Sequence, residues 1–424
     1  MPPIIQIGMI GCGTVGREVA KLLLEGENAS IHGHRIVIKK IAVRDLKKDR
    51  GLNSPPLTTD PQEIIEDPEI SIVIELMGGL DPAYQLVKGA LERGKHVITA
   101  NKALIAKYGD ELFHLASSKK VHLGIEGSVA GSIPILQLLQ YGLKSNKIRY
   151  LAAILNGTCN YILTQMELKG LSFQEALQLA QREGFSEADP RLDLSGEDTQ
   201  QKLSILMRCG TGADVDVKKI PFEGIEKISL ADIQFAKEYH YAIKLLAIAR
   251  EDGEKYQLRV HPALISKTAL LSHVLYENNG IYLVGDIAGP QLYFGKGAGG
   301  VPTASAILSD LIAIVDKRPI PATPDRSLEI SSIEKLVSPH YLRMVVADET
   351  GVLAKITKAF GEKGVSIAIL KQEPIQDQNR AQIMIITHES VEKSVDEAVK
   401  QIEDSGYVSE PITRIRIEDL EPTR

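Results

Sequence analysis

Gly11-Cys12-Gly13-Thr14-Val15-Gly16 follows an apolar run over residues 4–10 and opens an amphipathic stretch over 15–24. A chain that turns at once from strand to helix has few folds open to it. Glycine permits the tight turn and lets backbone N–H groups approach an anion, whose charge the positive helix N-terminus stabilises. In this setting G-x-G-x-x-G is the pattern of a dinucleotide pyrophosphate site, the alternative being a turn that binds nothing. Further strands are expected over 36–43, 71–76, 96–99 and 121–125, with helical stretches such as 82–93 between them. That alternation predicts an α/β architecture, a Rossmann-like doubly wound parallel sheet.

The pattern does not persist. At 424 residues the chain exceeds one ordinary core, and from about Gly131 it reads differently: an apolar helix, a strand over 148–155, a long helical region through Cys209, and strands over 257–265 and 281–284. This is an α+β second domain. A glycine-rich turn over 295–300 precedes a helix over 303–315 that can return to the first domain. Pro319, Pro321 and Pro324 then stop helix and strand alike. Beyond them, a strand over 340–347, a helix over 352–363, strands over 367–372 and 381–387, a helix over 391–404 and a strand over 413–417 give the order βαββαβ, a small ferredoxin-like sandwich. The expected domains are 1–130 for nucleotide binding, completed by 301–318; 131–300, the α+β domain; a linker over 319–338; and the ferredoxin-like domain over 339–424.

A formal net charge of −6 lacks the basic footprint that phosphate-backbone contacts require, so no nucleic-acid partner is expected. Met1-Pro2-Pro3 leads into an apolar run interrupted by Gln6, which reads as neither a secretory signal nor a membrane span. Cys12, Cys159 and Cys209 are far apart without CxxC spacing, which points away from disulfides and thiolate metal sites and fits a cytoplasmic location.

The second strand ends at Val43-Arg44-Asp45, later than the roughly 20 residues at which an acidic ribose ligand is expected. Arg44, with Lys47 and Lys48 behind it, suits the 2′-phosphate of NADP, while Asp45 suits the hydroxyls of NAD. The reading favours NADP and leaves NAD open. Lys102, in Thr99-Ala100-Asn101-Lys102, falls at the carboxyl edge of the sheet, where such folds bind ligands. A denser cluster holds Glu187, Asp189, Asp193, Asp198 and Lys202, the last two spaced i, i+4. It is either a capped, solvated helix end or a site for carbonyl reduction, which needs a cation or acid beside the oxygen as hydride arrives. Asn156-Gly157-Thr158-Cys159 ends a strand and starts a helix, suited to hold a carboxylate or simply to cap. Cys159 has no histidine near it in sequence and reads as packing.

Taken in order, residues 10–16, 99–102, 126–134, 155–166, 184–202 and 297–306 resemble the homoserine dehydrogenase family over essentially the whole chain. The resemblance implies NAD(P)H-dependent reduction of L-aspartate 4-semialdehyde to L-homoserine in threonine, methionine and isoleucine biosynthesis. It makes Lys202 the general acid/base and Lys102 its assistant near cofactor and substrate, with Glu187, Asp193, Asp198, Gly157 and Thr158 on the substrate. Gly11, Gly13, Thr14, Val15, Gly16, Arg44, Gly78, Thr99, Lys102 and Gly299 fall to the cofactor. Glu126, Val129, Gly131 and Ile133 match a family site for a monovalent cation such as sodium, built mainly of backbone carbonyls. Phe185 stands where the family often has tyrosine, removing a hydroxyl near the substrate, and Cys159 where threonine is common.

Asp348-Glu349-Thr350-Gly351-Val352-Leu353, between strand and helix, resembles the ligand loop of an ACT domain, with Thr350 where proline is common. Asp348, Gly351, Val352 and Leu353 are then expected to meet an amino-acid effector, L-threonine by resemblance. A domain used only for oligomerisation is the alternative. The same resemblance implies substrate binding and dimerisation for 131–300 and regulation for 339–424, and a homodimer or homotetramer, the second domain extending its sheet across the dimer interface. A cofactor-binding sensor without turnover is the rival of another class.

Overall fold

The structure, a computed structural model, describes residues 3–25, 30–53, 56–320, 326–375 and 379–420. Met1, Pro2 and the linker prolines Pro321 and Pro324 lie outside the described residues. The chain forms two compact units, Met1–Arg149 with Gln201–Lys219 and Asn278–Leu328, and Tyr150–Gln200 with Ile220–Glu277 and Glu329–Arg424. No helix among the described residues is long and apolar enough to cross a membrane.

In the first unit the strands lie in the order Ser30–Ile31, His34–Ala42, Ile4–Ile10, Ile72–Glu75, His96–Thr99, Leu123–Gly124, all parallel except the first. The central strands are covered on both faces, which is why they read as continuous apolar runs rather than alternating ones. Ile7, Met9, Ile72, Ile74 and Ile98 are sealed in one core with Val19, Ala20 and Leu23 of the helix Thr14–Glu25. The helix Gly300–Val315 adds Ala304, Ile307 and Leu311 to that core, returning to the sheet as expected. Three local readings need correcting. The sixth strand is only Leu123–Gly124, because a 3-10 turn starts at Glu126. Gly295 belongs to the strand Gly289–Lys296, paired with Asn278–Gly285, so the glycine turn is shorter than expected. A short strand, Leu57–Thr58, also joins His34–Ala42.

In the second unit the long helical region resolves into Gly157–Lys169, Phe173–Arg182, Arg191–Leu194 and the start of Glu197–Thr211. Gly170 ends the first with a left-handed φ of 67°, and Ser172 starts the second through a capping box with Glu175. The strand Tyr241–Asp252, absent from the sequence reading, turns at Gly253 and pairs along its length with Lys255–Ser266. The C-terminal elements are His340–Ala347, Val352–Glu362, Ile367–Ile375, Arg380–Thr387, Glu392–Glu403 and Thr413–Glu418, the expected βαββαβ. Val352, Ile356, Phe360, Val395 and Ile402 cover one face of this sheet. Thr413–Glu418 also pairs in parallel with Lys255–Ser266, Ala263 opposite Arg416 and Ile265 opposite Glu418, so one sheet runs from the substrate region into the C-terminal domain.

Candidate active site

The glycine loop is shaped from below by backbone and open above. Gly11 has φ of 102° and a Cβ there would lie 2.6 Å from the Leu76 carbonyl, while a Cβ on Gly16 would meet the Gly11 carbonyl. Around Gly13 there is nothing within 4 Å of a Cβ position, which leaves the space a pyrophosphate needs. Thr14 and Val15 begin the helix, and its N-terminus is met by a second one: a Cβ on Gly300 would lie 3.2 Å from the Thr14 carbonyl oxygen, with Gly299 just ahead at φ of 123°. The N-terminal residues of the two helices are therefore close neighbours beside the open face at Gly13. Arg44 is exposed at the end of the second strand. Arg50, not anticipated from the sequence, folds over the same loop and donates to the carbonyls of Asp45 and Lys48, both at 2.7 Å. Its charge and that of Arg17 act on the Cys12 thiol, although burial outweighs them and raises the thiol above its usual range.

A buried carboxylate organises the neighbouring strand ends. Thr99 Oγ1 donates to Glu75 Oε2 at 2.7 Å, and Glu75 Oε1 accepts from the N–H groups of Met77 and Gly78 at 2.8 and 3.3 Å. Asn101 donates its backbone N–H to Thr99 Oγ1, its side-chain amide to the Gly79 carbonyl, and caps the helix Lys102–Lys119. Gly78 is thus tied to the strand end that carries Thr99, and Lys102 starts a capped helix.

The residues expected around a cation have an acidic core. Glu126 accepts from the backbone N–H groups of Leu136 and Gln137 at 3.0 and 2.7 Å, and its own N–H donates to Asp310 Oδ2 at 2.8 Å. Burial, and then Asp310, pushes the Glu126 carboxyl up to about 8. Burial pushes Asp310 up to about 7, although it accepts from Glu126 and Gln137. Glu126 lies on the 3-10 turn ahead of Gly131, whose φ is 53°, and Asp310 on the helix Gly300–Val315; a monovalent cation beside them would offset the charge that burial opposes in both carboxyls. Val129 and Ile133 are buried in that turn, where Ile133 N–H donates to the Ala130 carbonyl.

In the second unit one amide gathers the acids. Asn156 caps the helix Gly157–Lys169 by accepting from Cys159 N–H at 2.8 Å, and its Nδ2 donates to Asp193 at 2.7 Å and Asp198 at 2.9 Å. Thr158 Oγ1 donates to the Phe185 carbonyl at 2.7 Å. A Cβ on Gly157 would lie 2.7 Å from the Glu277 carbonyl oxygen, so only glycine lets the chain pass there. Cys159 is fully buried with its thiol 3.2 Å from the Asp193 carbonyl. The helix Glu197–Thr211 continues past Asp198 into the segment Gln201–Lys219 of the first unit, where Lys202 is half-buried. Glu187 is exposed and its carboxylate makes no hydrogen bond or ion pair among the described residues, whereas Asp189 is held down to about 2 by Arg191. The Tyr161 ring lies tilted against that of Phe185, centroids 4.8 Å apart, and its OH donates to Glu183 at 2.6 Å. In the C-terminal loop Gly351 takes φ of 90° ahead of the helix Val352–Glu362, Asp348 is exposed and accepts from Gln372, Leu353 is half-buried and Val352 is buried.

Comparison with known proteins matches three family models along the chain. The family described as "Homoserine dehydrogenase" matches residues 134–312, "Homoserine dehydrogenase, NAD binding domain" residues 11–126, and "ACT domain" residues 340–406. A homoserine dehydrogenase of Synechocystis is 40% identical, covering 97% of this chain and 99% of its own length; that of Bacillus subtilis is 37% identical, covering 98% of each. A crystal structure of a homoserine dehydrogenase from Thiobacillus denitrificans superposes with a TM-score of 0.92 at 39% identity, covering 99% of this chain and all of that one. A hyperthermophilic archaeal homoserine dehydrogenase in complex with NADPH superposes with a TM-score of 0.65 at 26% identity over 75% of this chain and all of the other.

Proposed function

The chain belongs to the homoserine dehydrogenase family, and on that premise we propose that it reduces L-aspartate 4-semialdehyde to L-homoserine with NADPH in preference to NADH. It is an oxidoreductase acting on a CH–OH group, with a nicotinamide-binding domain and a C-terminal ACT domain. The observation that carries the finer reading is the Asn156 amide, which gathers Asp193 and Asp198 at a helix N-terminus.

The residues divide the work by charge. When bound, the nicotinamide supplies the hydride that reaches the aldehyde carbon. Lys202 protonates the oxygen on which negative charge develops, and Lys102 adds a second positive charge near it. Asp193, Asp198 and Glu187 face the substrate ammonium, and the N–H groups at Gly157 and Thr158 receive its carboxylate. Gly11, Gly13, Thr14, Val15, Gly16 and Gly299 hold the pyrophosphate, Gly78 and Thr99 border the cofactor, and Arg44 takes the 2′-phosphate. Glu126, with the main chain of Val129, Gly131 and Ile133, would hold a monovalent cation such as sodium, whose charge would offset the two buried carboxyls. The reaction feeds threonine, methionine and isoleucine synthesis, and L-threonine restrains it through Asp348, Gly351, Val352 and Leu353. A cytoplasmic homodimer or homotetramer fits three free cysteines and the family.

The test is oxidation of NADPH and NADH by the purified protein with L-aspartate 4-semialdehyde, beside Lys202→Ala. Loss of kcat by roughly a hundredfold or more in the variant, with cofactor binding intact, is expected. Tight cofactor binding without turnover in the parent protein would leave a sensor and sink the enzyme.

A further inference from the structure

Arg416, on the C-terminal strand Thr413–Glu418, is 2% exposed and holds two carboxylates. One is Glu392, at the start of the helix Glu392–Glu403 in its own domain, 3.0 Å from Arg416 Nε. The other, at 2.9 Å, is Glu223, which lies far outside that domain. Glu223 sits in a segment fastened to the strand Lys255–Ser266 by Glu223 N–H to the Val260 carbonyl at 2.8 Å and Val260 N–H to the Pro221 carbonyl at 3.0 Å.

The same segment grips the acids of the proposed substrate site. Ile225 N–H donates to the Leu194 carbonyl at 2.9 Å. Gly196 takes φ of 89° with its Cβ position 2.9 Å from the Glu223 carbonyl oxygen, and a Cβ on Gly224 would collide with the Leu194 carbonyl. Leu194 directly follows Asp193, which Asn156 ties to Asp198. From Arg416 to Asp193, then, every link is an ion pair, a backbone hydrogen bond or a backbone-to-backbone contact with no side chain between. Such a path transmits small shifts because packed backbone has few alternative arrangements.

We propose that Glu223 is a positioning residue for Asp193 and Asp198, held in place by Arg416, so that the C-terminal domain sets affinity for the amino-acid substrate through this pair. The buried guanidinium is fixed by Glu392 and cannot follow Glu223 if the latter moves. Glu223 is itself 45% exposed, so its charge can be removed without opening the core. The proposal rests on the reading that Asp193 and Asp198 bind substrate.

The experiment uses the full chain and four variants: Glu223→Gln, Gly224→Ala, Asp198→Asn and, as a control on the same turn, Glu226→Gln. KM for L-aspartate 4-semialdehyde, KM for NADPH, kcat and thermal midpoint are measured for each. Glu223→Gln is expected to raise the semialdehyde KM roughly fivefold, the size of a partly exposed ion pair, with NADPH KM, kcat and midpoint unchanged. Gly224→Ala raises it further and Glu226→Gln not at all. An unchanged semialdehyde KM in Glu223→Gln, or a rise in both KM values with a fall in midpoint, overturns the proposal and leaves the pair a structural bridge. If Asp198→Asn also leaves the semialdehyde KM unchanged, the substrate reading fails as well; if it moves the KM while Glu223→Gln does not, the positioning role alone is refuted.

Discussion

Asn156 Nδ2 lies 2.9 Å from Asp198 Oδ2 at a place where Asn156 is 3% and Asp198 1% exposed. The amide spends its donors on Asp198 and Asp193 and its oxygen on Cys159 N–H, so its orientation is fixed: reversed, it would set oxygen against two carboxylates. Asn156→Ala removes donors from two acids and a helix cap in one step, at a cost of about 1–3 kcal/mol for each group left unsatisfied. The semialdehyde KM is expected to rise at least about tenfold on that scale, with NADPH affinity by fluorescence titration unchanged. An equal loss of both affinities would place Asn156 in general stability and not in the substrate site.

Arg44 carries no ion pair or side-chain hydrogen bond among the described residues and is exposed at the strand end nearest the glycine loop. A charge-assisted bond to a 2′-phosphate is worth about 1.5–3 kcal/mol. Arg44→Ala should therefore raise the NADPH KM by about tenfold or more and leave the NADH KM where it is. Arg50→Ala is expected to weaken both, because Arg50 binds the carbonyls of Asp45 and Lys48 and shapes the loop itself. Equal effects of Arg44→Ala on the two cofactors would remove the case for phosphate recognition.

What could be read from the sequence, and what could not, follows from how local each signal is. The glycine loop and the βαββαβ order are written in neighbouring residues: a strand, Gly11 and Gly13, and a helix start within one short span. Tyr241–Asp252 escaped because Ala242 to Ala249 are buried throughout, leaving neither alternation nor helical period to see. Asn156 looked like a cap and is one, yet its partners Asp193 and Asp198 lie 37 and 42 residues away. Arg50 and Glu223 were invisible for the same reason, since a loop arginine and a lone glutamate acquire meaning only from what the fold lays against them. The parallel pairing of Thr413–Glu418 with Lys255–Ser266 has no sequence signature either, because nothing in either strand names the partner lying more than a hundred residues away along the chain.

Arg259 donates from Nη2 to both oxygens of Glu418, at 2.7 and 2.9 Å, and from Nε to one of them at 3.2 Å, inside the seam between those two strands, the Glu418 and Arg259 side chains being 6% and 2% exposed. Arg259 pulls the Glu418 carboxyl down to about 2 against the opposing effect of burial, and His261 assists. Removing one partner of such a pair costs about 3–5 kcal/mol, while replacing both with apolar groups of similar size is near neutral. Glu418→Ala should accordingly lower the thermal midpoint by several degrees, and Arg259→Met with Glu418→Met together should restore most of it. If the double variant melts as low as the single one, the seam is held by packing and not by the charge pair.

Lys244 is buried at 1% exposure, donating to Asn160 Oδ1 at 3.0 Å and to the Val274 carbonyl at 2.7 Å on the helix and loop that flank Gly157. Burial pulls its ammonium down to about 8 against the raising influence of Glu167. The folded chain therefore binds this proton less tightly than the unfolded chain, in which the lysine returns to about 10.4. Below about pH 8 the ammonium is charged in both states and the folded state bears the full cost of burying it; between about 8 and 10.4 it stays charged only when unfolded, so stability rises with pH. The gain over that window is on the order of 3 kcal/mol. Buried tyrosines act oppositely at the upper end, which makes the difference between the parent protein and Lys244→Met the quantity to follow. Thermal midpoints at pH 7.5, 8.5 and 9.5, as assay conditions of roughly one unit spacing, should show the parent gaining on Lys244→Met with each step. A constant difference across the series would mean that Lys244 keeps its proton in both states and that its two hydrogen bonds outweigh its burial.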